Sequence, residues 1–250
     1  TVLTATKGVI ENGTVVIENG KIAAVGKDAA IPAGATVIDA TGKFLTPGII
    51  DTHSHMGVYA WPEVKANSDG NEATHPIMAQ VRAEDGVNLE DPAFKRALAG
   101  GVTTIQILPG SANMVGGESF VCKLRLGSLE TMRFEGAPRG IKMASGENPK
   151  RVYGGRGQLP STRMGNFAVL REHLEKAREY KRKWDGYAAK KAKGEDVAPP
   201  DKDLKLETLR DVMDGKVRVH IHCYRMDEMA TLIAIAKEFG FKIASFQHAL

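Results

Sequence analysis

Cysteine is scarce in this sequence: there are two among 250 residues, Cys122 and Cys223, with no Cys-x-x-Cys spacing. Two such thiols cannot form a disulfide framework, so we expect them to be reduced and the protein to be cytoplasmic. The first residue is Thr1 rather than methionine, so an upstream targeting segment could have been removed. A periplasmic or secreted location is therefore the alternative.

Long apolar runs and a large excess of one charge are also missing. No stretch approaches the ~20 apolar residues that a membrane helix needs, and we expect no membrane partner. The formal net charge is +4, and the lysines are too localised to form a nucleic-acid-binding face. With 42% hydrophobic and 26% charged residues, the composition is that of a globular protein with a sizeable core.

The first 46 residues predict short β-strands. In "GTVVIENGKIAAVG" two β-rich runs flank Asn19-Gly20, a strong signal for a type I′ hairpin. The stretch "ATVIDATGKFL" predicts another strand and a turn. This segment is too short to hold a core alone, so it needs partner strands from elsewhere.

From Phe44 onward, predicted strands alternate with predicted helices. "KFLTPGIIDTHSH" predicts a buried strand that enters a polar loop, and Asp91 as N-cap with Gly100-Gly101 as the stop predicts a helix. Further strands are expected in "VTTIQILPG", "GIKMASG", "VRVHIH" and "FKIASFQH", a long helix over 162–184, and a solvated loop in "AAKKAKGEDVAPPDKD". "FVCKLRL" is either another strand or part of a loop hairpin. The alternation is typical of a parallel sheet with helical crossovers.

Five of the seven histidines lie at the ends of predicted strands. His53 and His55 follow an apolar strand, His220 and His222 repeat their spacing, and His248 ends the last predicted strand. Alternate residues of a strand share one face, and neutral imidazoles held there suit an ion such as Zn²⁺. One such pair is also common as two polar loop residues. Five histidines at strand ends favour a metal site.

Other polar residues give weaker signals. His173 lies among charges in "LREHLEKAREYKRK" and is expected on a solvated helix face, while the role of His75 in its loop stays open. "PGSANMVGGES" is typical of a flexible loop from which Ser111 and Asn113 could touch substrate, with a glycine-rich anion cradle as the alternative. Arg163 is either a ligand for a substrate carboxylate or a surface arginine at a helix start.

"PGIIDTHSH", preceded by a β-rich segment that ends in "ATVIDATGKFLTPG", resembles the amidohydrolase superfamily in the branch of the imidazolonepropionases. "GVTTIQILPGS", "VHIH" and His248 follow in the order of that family, so the resemblance covers essentially the whole chain. It implies an α/β fold, a (β/α)8 TIM-type barrel beside a small β-sandwich. Residues 1–46 would be the N-terminal part of the sandwich and residues 47–250 the barrel.

The resemblance also implies roles for the histidines. His53 and His55 would be the metal ligands of the first strand, and His220 the ligand of the fifth strand. His222 would be a neighbouring ligand or a catalytic contact with the substrate. His248 would be a ligand in a two-metal enzyme and a catalytic residue that polarises the substrate in a one-metal enzyme.

Lys142 is a further candidate metal ligand. In two-metal members of the family a lysine late in the fourth strand is carboxylated and bridges the metals, and "RGIKMASG" resembles that strand. The alternative is an ammonium that reaches the surface or pairs with Glu147. If "FVCKLRL" is a loop, "GIKMASG" becomes strand three and Lys142 loses that place. Lys123 is a more distant candidate.

Compared with the family, these 250 residues contain about six of the eight barrel strands. The aspartate of the eighth strand, which receives the proton of the attacking water in the family, has no counterpart. We therefore expect a longer gene or a trimmed chain, with strand edges that a homo-oligomer or a second chain would cover.

The function that the resemblance implies is hydrolysis of a C–N bond. The substrate would be a small molecule with an amide, cyclic amide or peptide-like bond, and one or two divalent ions, with zinc expected, would assist. One alternative is a metal-free relative that serves as a scaffold or assembly subunit. Another is a deaminase of the same superfamily. The sequence does not identify the substrate.

Overall fold

The computed structural model describes residues 1–249, which divide into two compact units. The first unit is Thr1–Ile49, and the second begins at Ile50. No helix in the described residues is long and apolar enough to cross a membrane.

The first unit consists of two small antiparallel sheets. Strands β1 (Val2–Leu3) and β2 (Val9–Ile10) form one, and β3 (Thr14–Glu18) and β4 (Lys21–Gly26) form the other. Asn19 and Gly20 connect β3 and β4 with φ angles of 52° and 72°. A type I′ turn requires such left-handed conformations at both positions, so the predicted hairpin is confirmed.

The predicted strand in "ATVIDATGKFL" is wrong. Residues 36–43 form no strand, and Leu45 makes only a single bridge to Val2. A β-rich segment becomes a strand only by pairing, and here Val37 and Ile38 are exposed. Val2 and Val16 are the buried apolar residues of the described first unit. This agrees with the expectation that the segment holds no core alone, while the sandwich stays a prediction.

The second unit alternates strands with helices, as expected. Its strands are β5 (Ile49–Ser54, with one residue in the first unit), β6 (Val102–Ile107), β7 (Val115–Glu118), β8 (Phe120–Lys123), β9 (Arg139–Ala144), β10 (Val217–His222) and β11 (Ile243–Gln247). Its α-helices are α1 (Pro92–Ala99), α2 (Leu129–Met132), α3 (Glu147–Gly154), α4 (Arg163–Ala192), α5 (Leu204–Met213) and α6 (Met226–Phe239). Two short 3-10 helices, Lys65–Asn67 and Ala83–Gly86, lie in the long connection between β5 and α1.

The strands of the second unit form two sheets. One has the order β11-β10-β9-β7, with β9, β10 and β11 parallel and β7 antiparallel to β9. The other has the order β5-β6-β8, with β8 antiparallel to β6. The mixed α/β class is confirmed, but within residues 1–249 the strands do not close into a barrel.

The expectation of purely parallel strands is corrected at β7 and β8. Only Ser119 separates these two strands, and residues 108–114 separate β6 from β7. β7 pairs with β9 and β8 pairs with β6. No helix lies in the described residues 108–119 between β6 and β8 to carry the chain back across the sheet for a parallel pairing, so β8 returns antiparallel beside β6. "FVCKLRL" therefore contributes an antiparallel strand, which agrees with the hairpin alternative.

Local signals fix several helix ends. The side chain of Asp91 accepts a hydrogen bond from the Ala93 amide and caps α1, as predicted. Gly240, with φ of 77°, ends α6 in the left-handed conformation that glycine adopts readily. Helix α4 is longer than expected and reaches Ala192, so the first five residues of the predicted loop, "AAKKA", are helical. Alanine and lysine are good helix formers, which explains this difference.

The core of the second unit has two clusters of buried apolar side chains. The larger packs the parallel strands, through residues such as Ile141 and Val219, against the inner faces of α4, α5 and α6. The smaller surrounds β6 and β8 and includes Phe94 of α1. Both clusters hold the carboxyl ends of the strands in fixed places, which is where the candidate site lies.

Candidate active site

His53 and His55 face one another at the end of β5. His53 lies within the strand and His55 follows its last residue, and their Nε2 atoms are 3.3 Å apart. The carboxylate of Asp51 accepts a hydrogen bond of 3.0 Å from the His53 amide. Two ligands of a tetrahedral zinc ion with bonds of ~2.1 Å lie about 3.4 Å apart. The pair therefore fits two adjacent positions around one ion.

The position of the proton on His55 follows from its hydrogen bond. Its Nδ1 lies 2.7 Å from the Leu108 carbonyl oxygen, which can only accept, so Nδ1 carries the proton. The Nε2 lone pair of the neutral ring then faces His53. Burial lowers the pKa of His55, against the opposing effect of the Leu108 bond. This is the arrangement in which a histidine ligand is oriented by a partner on its other nitrogen.

His222 and His248 complete a cluster of four imidazoles. The His248 ring centroid is 4.7 Å from that of His53 and 4.9 Å from that of His222. The His222 Nδ1 lies 3.1 Å from the Ser111 hydroxyl, and its Nε2 lies 3.3 Å from the Asn148 side-chain amide nitrogen. An amide nitrogen donates, so Nε2 of the neutral His222 accepts and Nδ1 carries the proton.

Lys142 lies close enough to the histidines for its charge to act on them, and it is fully buried. Its Nζ donates a hydrogen bond of 3.2 Å to the Pro109 carbonyl oxygen, and burial lowers its pKa to about 8. The alternative of an ammonium that reaches the surface is therefore wrong, and the described contacts of Lys142 do not include Glu147. Its carboxylation stays a prediction.

Burial and the charge of Lys142 together keep the clustered imidazoles neutral. They lower the pKa of His53 to about 3 and that of His222 to about 4, and they also lower the pKa of His248. A neutral imidazole has the lone pair that a metal ion requires. The cluster is thus in its ligating form at neutral pH.

His220 lies apart from this cluster. It is two residues earlier in β10 than His222, which is about 6.6 Å along the strand, and its Nδ1 lies 2.8 Å from the Ser245 hydroxyl. In the sheet it is paired with Lys142. The structure thus brings His222, rather than His220, against His248.

The other predicted contacts are engaged within the protein. Asn113 is buried and donates to the carbonyl oxygens of Glu72 and His75 and to the Tyr153 hydroxyl. Arg163 is neither a free carboxylate ligand nor an unpaired surface residue, because its Nε lies 2.7 Å from a carboxylate oxygen of the buried Glu228.

The expected solvent exposure of His173 is wrong. The side chain is buried, its Nδ1 donates to the Val169 carbonyl one turn earlier, and its ring lies edge-to-face against His75 with centroids 5.4 Å apart. Lys123, the distant candidate, bonds Thr104 on the neighbouring strand and lies outside the histidine cluster.

Three residues near the cluster were missed from the sequence. Asn148 reaches His222 from the start of α3, Asp51 supports the His53 backbone, and the Tyr59 ring packs edge-to-face against His55 with centroids 5.7 Å apart. Asp51 carried a signal, since it shares the strand face of His53. Asn148 carried a weaker one, as a polar residue just beyond a strand end.

The described side chains form a partial metal site. No group of three or more histidine, cysteine, aspartate or glutamate side chains in residues 1–249 is arranged to hold an ion. The fit to a metal therefore rests on the Nε2 pair of His53 and His55, with the neutral rings of His222 and His248 close by.

Comparisons with known proteins agree with this arrangement. The chain is 36% identical to amidohydrolase tasK of Hapsidospora irregularis, over 95% of this chain and 26% of that protein. It is 51% identical to an imidazolonepropionase of Geobacillus sp. (strain WCH70), over 41% of this chain and 29% of that protein. The chain thus spans about a quarter of the length of these curated relatives. No protein-family model matches it.

A solved structure gives the same result for the fold. The crystal structure of an amidohydrolase from Thermotoga maritima MSB8 matches with a TM-score of 0.84 and 44% identity, over 92% of this chain and 58% of that one. At this identity the likeness is one of sequence as well as of fold. These similarities and the histidine arrangement confirm the predicted resemblance: the chain is similar to proteins of the amidohydrolase superfamily and is imidazolonepropionase-like.

Proposed function

We propose that this protein is a metal-dependent hydrolase that cleaves the C–N bond of a small amide, cyclic amide or peptide-like molecule. The observation that carries the proposal is the pair of imidazole Nε2 atoms of His53 and His55, 3.3 Å apart beside two further neutral imidazoles. The relatives named amidohydrolase and imidazolonepropionase support an amide substrate, and the second name refers to a ring amide.

We also propose that the second unit belongs to a (β/α)8 barrel and that residues 1–46 belong to a β-sandwich. The alternation of strands and helices and the likeness to the Thermotoga maritima amidohydrolase support this assignment. A homo-oligomer or a second chain that completes the barrel remains a prediction. The two buried, unpaired cysteines support a cytoplasmic location.

His53 and His55 would hold a divalent ion, for which we propose zinc. Divalent metals are general in the superfamily. A bound ion would supply Lewis-acid polarisation of the substrate carbonyl and of the attacking water. Leu108 fixes the His55 ring so that its Nε2 lone pair points to the ion site.

His222 and His248 are the proposed catalytic residues, and His248 is also a candidate ligand for a second ion. The contacts of the two β10 histidines favour His222 over His220 near the reaction centre. Ser111 and Asn148 orient the His222 ring, so a proton stays on Nδ1. His248, neutral at pH 7, can donate a hydrogen bond to the substrate carbonyl oxygen.

Lys142 is the proposed bridging residue if two ions bind. Carboxylation joins an uncharged amine to carbon dioxide and releases one proton, and burial favours it by lowering the Lys142 pKa to about 8. Nuclear magnetic resonance in isotope-labelled bicarbonate would detect the carbamate carbon. Its signal should be absent in Lys142→Met, and a wild-type protein without the signal would favour a single ion.

Metal content tests the main proposal directly. We expect one or two zinc, iron or manganese ions per chain by elemental analysis after purification. His55→Ala should lose most of the metal, whereas the matched control His75→Ala, which removes a histidine outside the cluster, should retain it. Wild-type protein supplied with metal that retains none would contradict the proposal and favour the scaffold alternative.

A pair of variants separates the two β10 histidines. We expect His222→Ala to lower the rate of hydrolysis more than a hundredfold and His220→Ala to lower it less. Of these two histidines, His222 is the one whose ring contacts His248. Hydrolysis is measured on a panel of amides and cyclic amides, with ammonia release recorded in parallel. Release of ammonia from aminopurines without hydrolysis of any amide would favour a deaminase.

A further inference from the structure

A cavity lies beside the histidine cluster, in the connection between β5 and α1. It has a volume of about 470 Å³ and is lined by Tyr59, Trp61, Glu63, Val64, Asn67 and Ser68. We call it the loop pocket. Tyr59 joins it to the candidate site, because the same ring packs against His55.

The loop that forms this pocket is fixed by backbone hydrogen bonds. The Asp69 amide donates to the Val58 carbonyl at 2.9 Å, and the Ala60 amide donates to the Asn67 carbonyl at 3.3 Å. The Asn67 side chain donates a 2.8 Å bond to the Pro62 carbonyl and closes the turn. The pocket is therefore preformed rather than made by a mobile loop.

Two glycines make room for the Tyr59 ring. A Cβ added at Gly70 would overlap the ring carbons, and one added at Gly110 would overlap the phenol oxygen. The phenol also bonds the Asn71 side chain. With its ring held on one side by glycine backbone and on the other by His55, Tyr59 is a rigid wall between the histidines and the loop pocket.

The lining of the loop pocket combines exposed aromatic and apolar surface with one carboxylate. Trp61 is 63% exposed and Val64 is 49% exposed. The two side chains line the same cavity, and contiguous exposed apolar surface of this kind is typical of ligand-binding grooves. Glu63 is the charged residue among those that line the pocket, and the neighbouring Lys65 does not line it.

We propose that the loop pocket binds a cationic group of the substrate, an ammonium or guanidinium on an apolar stem. Aromatic faces attract cations, a carboxylate pairs with them, and an apolar stem packs on Trp61 and Val64. This inference rests on the proposed function, since it names the substrate class for the same site: an amide that carries a basic group. A substrate of this kind would span the pocket and the histidines, with Tyr59 between them.

Binding of small probe molecules tests the proposed cation site without any measurement of hydrolysis. Ligand-observed nuclear magnetic resonance would compare butylammonium with pentanoate and butanol, which carry the same four-carbon stem but are anionic and neutral. We expect butylammonium to bind roughly tenfold more tightly than pentanoate. Glu63→Gln and Trp61→Leu should each weaken it by about threefold or more, whereas the control Glu90→Gln, an exposed carboxylate outside the pocket, should not.

The outcomes separate this inference from the proposed function. Equal binding of the three probes, or binding of butylammonium that neither pocket variant weakens, would overturn the loop pocket as a cation site, whatever the metal content. Preferential binding that both variants weaken supports it, even if the purified protein holds no metal. If the protein binds butylammonium preferentially but holds no metal, the proposal of a metal-dependent hydrolase is wrong and the proposal of a cation site is supported.

Discussion

Asp91 should contribute more to stability than an ordinary helix cap. Its carboxylate is buried and accepts hydrogen bonds from the amide of Ala93 at 3.0 Å, that of Gly57 at 2.8 Å and that of Trp61 at 3.4 Å. It therefore caps α1 and also fixes the chain just after the histidine pair. We expect Asp91→Ala to loosen both segments.

The size of the effect follows from these bonds. Loss of an N-cap costs about 1 kcal/mol of unfolding free energy, and a buried amide left without a partner costs about 1–3 kcal/mol more. Asp91→Ala should thus lose about 2–4 kcal/mol. Asp203 offers a matched control, because it caps α5 through one bond to the Leu206 amide and is exposed. Asp203→Ala should lose about 1 kcal/mol.

Urea unfolding measures the difference. Trp61 and Trp184 are the two tryptophans of the chain and both lie in the second unit, so their fluorescence reports its unfolding. Equal losses in Asp91→Ala and Asp203→Ala would refute the reasoning, since they would mean that the buried bond to Gly57 adds nothing beyond the cap.

Three further predictions use the same urea assay. Gly70→Ala should lower the unfolding free energy by about 1–3 kcal/mol, because a Cβ there overlaps the Tyr59 ring; a loss below this range would mean that the ring shifts freely. Gly186→Ala, in α4 with open space around it, should raise the unfolding free energy by about 0.5–1 kcal/mol, and a decrease would contradict the open space. Burial raises the pKa of Asp211 while its bonds to Arg139 lower it, with a net decrease from 3.8. The ionised carboxylate therefore adds stability above about pH 4 that is lost as pH falls through its lower folded pKa. Asp211→Asn should flatten that part of the pH dependence, and an unchanged curve would be evidence against the ion pair.

Strand positions and the histidine cluster could be predicted because each depends on local pattern. The apolar run before His53 and the β-branched run of β10 predict strands that the structure contains. The antiparallel course of β7 and β8 depends instead on their pairing with β9 and β6 in two different sheets, which no local pattern shows. The burial of His173 depends on its contact with His75, almost a hundred residues away in the chain, and no local pattern reports it.

The two His-x-His pairs show why one motif has two outcomes. His53 and His55 lie at a strand end, where the chain turns after Ser54 and lets the rings approach each other. His220 and His222 both lie within β10, and the regular strand keeps their rings at different depths. The sequence spacing is identical, so the difference could not be predicted before the end of the strand was known.

Asn113 has a consequence for how the protein moves. The side-chain amide of Asn113, in the segment after β6, donates to the carbonyl oxygens of Glu72 and His75 and to the Tyr153 hydroxyl. The Tyr153 hydroxyl in turn donates to the His75 carbonyl oxygen. Residues 55–91 contain no α-helix. Their attachment to the remainder of the second unit combines such bonds with the bridges Ile77–Val115 and Arg82–Glu118 and with buried apolar side chains such as Val58 and Ala79. A segment attached in this way opens as one cooperative group rather than residue by residue. Its amide hydrogens should then exchange with solvent at similar rates, and the reach of the chain around His55 and the loop pocket would change in a single step.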